Sequence, residues 1–137
     1  MTLTPEQIDL LNRLQLFFKA KMGEWQKTDI FLRGERGGLV DSIGSEVMRL
    51  RLVWNGLDSG TTLIYKPYWD ELLRIPKPID WQNPERGLWG MVNWNNWQIG
   101  HNFIPGYLAV ISIQKLLKIH SDPFTALLKV LAEQEEV

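Results

Sequence analysis

Apolar side chains recur every three or four residues over long stretches of this chain, and that rhythm constrains its fold more than any other feature. Leu11, Leu14, Phe18, Met22 and Trp25 share a narrow arc at the helical spacing of about 100° per residue. Thr4 suits an N-cap, Pro5 the first helical position, and Gln7 completes a capping box. These signals predict a helix from Thr4 to Lys27, with Asp9 and Arg13 paired at i,i+4 and Gly23 near its end.

Farther along, two rhythms compete. Leu39, Val40, Ile43, Val47, Leu50, Trp54 and Leu57 share one helical arc, whereas Met48, Leu50, Leu52 and Trp54 alternate as in a strand. The longer match predicts a helix over 39–57 with Asn55-Gly56 at its C-cap. Gly44 weakens that helix and keeps the strand open. Residues 61–66 read as a short extended piece. Pro67 then opens a helix over 68–75, with Asp70 and Arg74 paired at i,i+4.

Pro76-Lys77-Pro78 cannot continue a helix, and residues 76–83 are an internal linker within a single domain spanning 1–137. Residues 88–103 read as helix, narrowly ahead of a hairpin turning at Asn95-Asn96. Residues 105–120 are apolar around the whole helical circumference, the mark of a buried central helix. Ser121-Asp122-Pro123 caps a last helix striped by Phe124, Leu127, Leu128 and Leu131. The expected fold is therefore mainly α: a single-domain bundle of about five to six helices with room for a small β-hairpin. The competing arrangement is α+β, with a small antiparallel sheet from residues 47–66 and 88–103.

Composition narrows the chemistry. Of 137 residues, 45% are hydrophobic and 23% charged, with a net charge of -1, so neither charge-driven disorder nor nucleic-acid binding by bulk charge is expected. The absence of cysteine excludes disulfides, thiolate nucleophiles and cysteine zinc sites. The start, Met1 to Glu6, has neither the basic residues nor the apolar run of a signal peptide. The longest apolar run, at 108–111, is too short to span a bilayer. A soluble, cytoplasmic protein is expected.

Motifs for catalysis are sparse. Gly34, Gly37 and Gly38, flanked by Arg33 and Arg36, read as a loop before a helix, a place where backbone N–H groups attract anions. The loop lacks GxGxxG and a P-loop lysine, so a connector is the simpler reading. His101 and His120, the only histidines, have no carboxylates at ligand spacing, so no metal is expected. Arg49 and Arg51 diverge on a helix and would share one face only on a strand.

The feature most suggestive of binding is aromatic. Four of the seven Trp fall between residues 81 and 97, interleaved with Asn95, Asn96 and Gln98 and followed by His101. Trp offers a large apolar plane with one donor, and Asn and Gln add adaptable polar groups. Trp89, Trp94, Asn95, Trp97 and His101 are thus the candidate ligand- or partner-binding residues, with His101 the one plausible base nearby. The expected function is a helical protein-interaction module without catalysis or cofactor, binding a protein or a second copy through this surface. One competing reading is a small-molecule-binding protein or enzyme with a pocket near Trp89, Trp94, Trp97 and His101. Another is a nucleic-acid-associated regulator using the last two helices. The acidic end of the final helix and its single lysine, Lys129, weigh against phosphate contact.

Overall fold

The computed structural model describes residues 3–54, 57–80, 82–92 and 113–135. The chain divides into two compact units, Met1–Lys77 and Pro78–Val137. Their boundary lies between Pro76 and Pro78, whose rings fix φ and interrupt regular structure.

The first unit opens with α1 (Pro5–Arg13) and α2 (Gln15–Met22). The capping box forms as the sequence predicts. The Thr4 hydroxyl accepts from the Gln7 N–H at 3.2 Å, and Gln7 Oε1 accepts from the Thr4 N–H at 2.9 Å. The single helix expected to run to Lys27 is instead divided at Leu14 and ends at Met22. Gly23 has a φ of +70°, which a side chain would strain. Leu11, Leu14, Phe18 and Met22 are buried along the predicted stripe.

Five strands follow: β1 (Ile30–Arg33), β2 (Arg36–Ile43), β3 (Val47–Trp54), β4 (Leu57–Tyr65) and β5 (Leu73–Ile75). They form one sheet in the order β4-β3-β2-β1-β5, with every neighbouring pair antiparallel. The fold is α+β, and the mainly helical bundle is overturned. Residues 47–66 do supply two paired strands. Within 88–103, residues 88–91 are helical and 93–103 lie outside the described residues.

The expected helix over 39–57 is two strands, joined by a turn that the Gly44 N–H closes onto the Val47 carbonyl at 2.8 Å. Its apparent helical arc mixed residues from both faces of the sheet. Leu39 and Ile43 are exposed, while Val40, Met48 and Leu50 are buried. A bulge between Val40 and Ser42 adds one residue to β2 and breaks its alternation, so its apolar positions imitate a helical period. The glycines expected to form one anion-binding loop are likewise separated. Gly34, at φ +61°, makes the two-residue turn of the β1–β2 hairpin with Glu35. Gly37 and Gly38 lie within β2, and a Cβ on Gly38 would collide with the Arg51 carbonyl oxygen.

The helix expected over 68–75 is a 3-10 segment, Lys66–Glu71, followed by β5. This segment carries the chain from one edge of the sheet to the other. Trp69 and Leu72 are buried in one cluster with Trp25, Phe31, Val40, Met48, Leu50 and Ile64. The Trp69 indole donates to the Ile64 carbonyl at 3.0 Å, so its N–H is satisfied inside the core.

The second unit contains α3 (Leu88–Met91), α4 (113–119) and α5 (Pro123–Glu135). The Asp122 carboxylate caps α5, accepting from the Thr125 N–H at 3.3 Å and the Thr125 hydroxyl at 2.7 Å. Leu127, Leu128 and Leu131 are fully buried. In α4, Leu116 is buried but Ile113, Leu117 and Ile119 are exposed. The all-round burial expected for 105–120 therefore does not extend to its described part.

Candidate functional site

An open hollow lies in the first unit, between the α1–α2 pair and the segment Trp69–Arg74. It is an open groove of 520 Å³. That volume is within the range of small-molecule sites, about 300–1,000 Å³.

Its back wall follows from the way β5 ends the sheet. Arg74 lies opposite Phe31 of β1, and its backbone turns outward to the edge. Gln15, at the start of α2, meets that edge. The Arg74 N–H donates to Gln15 Oε1 at 2.8 Å, and Gln15 Nε2 donates to the Arg74 carbonyl at 2.9 Å. The same Nε2 donates to the Leu11 carbonyl at 3.0 Å, which fixes the amide's orientation. One side chain thus completes the ladder of a three-residue strand and anchors both helices to the sheet.

The Arg74 side chain is buried, its guanidinium over the Trp25 ring at 4.3 Å from the centroid, a cation–π geometry. The sequence predicted an Arg74 pair with Asp70 on a helix. With no helix there, Asp70 instead pairs with Lys19 of α2 at 3.3 Å, and Glu71 pairs with Arg33 at 3.4 Å. The groove is therefore lined by two cations, Lys19 and Arg74, and two anions, Asp70 and Glu71, with Trp25 and Trp69 behind them. Leu16 stands at the rim, 85% exposed.

The site predicted from sequence falls elsewhere in the chain. Trp89 is in α3, half-buried, with its backbone N–H donating to the Pro78 carbonyl at 3.1 Å. Trp94, Asn95, Trp97 and His101 lie outside the described residues. Among the described residues no group of carboxylates and histidines could hold a metal ion. His120 Nδ1 accepts from the Asp122 N–H at 2.9 Å. Arg49 and Arg51 do share one face of β3, and Arg51 is engaged by Asp41 at 3.2 Å and Asp58 at 3.7 Å. No described helix is long and apolar enough to cross a membrane.

Sequence reasoning missed Gln15, Trp25, Trp69 and Arg74 as a set, because 59 residues separate Gln15 from Arg74. Each has a local explanation that hides its partner. No protein-family model, curated protein or solved structure matches this chain. The fold and groove define a small α+β chain with an amphipathic cleft at one sheet edge, and its function is read from that geometry.

Proposed function

We propose that this chain is a small-molecule-binding protein whose ligand occupies the groove between α1–α2 and the segment Trp69–Arg74. The observation that carries this reading is the groove's composition. Two cations balance two anions around a wall of buried tryptophans. Such a site does not select for net charge. It selects a neutral or zwitterionic molecule whose donors meet Asp70 and Glu71 and whose acceptors meet Lys19. An apolar body of that molecule would cover Leu16, which water now surrounds. The Lys19–Asp70 pair is solvent-exposed and worth little by itself, so a ligand displaces it at low cost.

The test is a titration of the isotopically labelled chain, followed by amide and indole resonances. The probes are aromatic and aliphatic zwitterions, with matched pure anions and pure cations alongside. The expected result is saturable shifts at Asn12, Lys19 and Leu73 with the zwitterions, weakened in Lys19→Ala and Asp70→Ala. If no probe moves those residues at millimolar concentration, the groove is only a seam between packed elements.

A further inference from the structure

We propose that the outer edge of β4 pairs with the same edge of a second copy of this chain, joining two five-stranded sheets into one. β4 is the terminal strand of the sheet. The direction of its backbone groups follows from one hydrogen bond. The Lys66 N–H donates to the Glu46 carbonyl at 2.9 Å, so residues 66, 64 and 62 face β3. The N–H and C=O groups of Thr61, Leu63 and Tyr65 consequently point away from the sheet.

The side chains of these three residues also share a face. Leu63 is 53% exposed and Tyr65 60% exposed. Natural edge strands are usually blunted by lysine, proline or inward charge. β4 has neither lysine nor proline, and residues 59–65 are uncharged. Its one interruption, the register shift between Arg51 and Val53 of β3 where Gly60 adopts φ +110°, leaves 61–65 regular.

A two-fold axis through Leu63 satisfies this edge. Leu63 then opposes the partner's Leu63, and Thr61 opposes the partner's Tyr65. Every outward donor from 61 to 65 meets an outward acceptor. Residues 59–65 carry no charged side chain, so no like charges meet across the axis. The opposite edge of the sheet limits growth. On β5 the outward groups of Arg74 are held by Gln15, so β4 cannot add to β5 of another copy, and the assembly closes as a dimer.

Sedimentation of the full chain over a concentration series tests this. The expected result is a reversible dimer that becomes monomeric in Leu63→Lys, which places two ammonium groups face to face, with the circular dichroism spectrum unchanged. The chain has no cysteine, so Leu63→Cys supplies a unique thiol. That variant is expected to form a covalent dimer on mild oxidation, whereas Leu57→Cys, outside the paired segment, is not. A chain that stays monomeric at every concentration, or a dimer that survives Leu63→Lys, overturns the proposal.

Discussion

The two edges of the sheet are handled in opposite ways. β5 is three residues long, and a side-chain amide from α2 completes its outer ladder. β4 is nine residues long and presents Leu57, Leu63 and Tyr65 to solvent, with no described element on its outer side. An edge can be closed by covering it or by making it the place where something else adds. This sheet does the first beside its groove and leaves the second available at the far side. The contrast teaches that edge chemistry is decided partly by long-range contacts: β5 is short, but the group that closes its outer ladder comes from α2, 59 residues away in the chain.

The largest effect tests whether β4 belongs to the core on one face only. Ile64 is buried in the cluster with Met48 and Trp69, while its neighbour Leu63 faces outward. Ile64→Ala is expected to lower stability by about 2–4 kcal/mol, as for other buried aliphatic truncations. Leu63→Ala, measured at a dilution that keeps the chain monomeric, is expected to change it by less than about 0.5 kcal/mol. Urea unfolding of the two variants checks this. Equal losses would mean that both faces of β4 are packed.

Gln15→Ala attacks the closed edge. It removes both hydrogen bonds to the Arg74 backbone, each worth about 0.5–1.5 kcal/mol net, so a loss of about 1–3 kcal/mol is expected. Unfolding in denaturant gives the magnitude. A loss no larger than that of an ordinary surface substitution would show that water replaces the amide without penalty, and the two edges would then be alike. Hydrogen exchange sharpens the same point without mutation. The Arg74 amide is expected to exchange slowly at any concentration, while the outward Leu63 amide exchanges fast when dilute and slows as concentration rises.

These expectations also show which parts of the molecule were legible in its sequence. The capping box at Thr4 and Gln7, the Asp122 cap and the stripe from Leu11 to Met22 were readable because each is settled within one or two helical turns. The sheet was not. Asp41, inserted by the bulge in β2, broke the period of two, so Leu39, Val40 and Ile43 joined Val47 and Leu50 on a false helical arc. Asp70 and Arg74 stood at helical spacing but belong to a 3-10 segment and a strand, and their real partners are Lys19 and Trp25. The groove inherits that opacity. Its walls come from residues 8–34 and 69–74, brought together only once β5 crosses to lie beside β1. Local pattern carries no information about that pairing.

The smallest effect concerns what holds the open side of the sheet before anything adds to it. Arg51 on β3 reaches Asp41 of β2 at 3.2 Å and Asp58 of β4 at 3.7 Å, so one guanidinium ties three adjacent strands. All three side chains are partly exposed, which keeps the attraction in a high-dielectric setting. Arg51→Ala is expected to cost about 0.5 kcal/mol at low salt and to become indistinguishable from the parent at high salt, because screening already weakens the pair in the parent. Denaturation at two ionic strengths checks it. A penalty that persists undiminished at high salt would mean that Arg51 acts through the packing of its aliphatic stem over Leu39 and Thr61, its neighbours in the same cross-strand row. The open face would then be held by apolar cover, and the ionic staple would be incidental to the difference between the two edges.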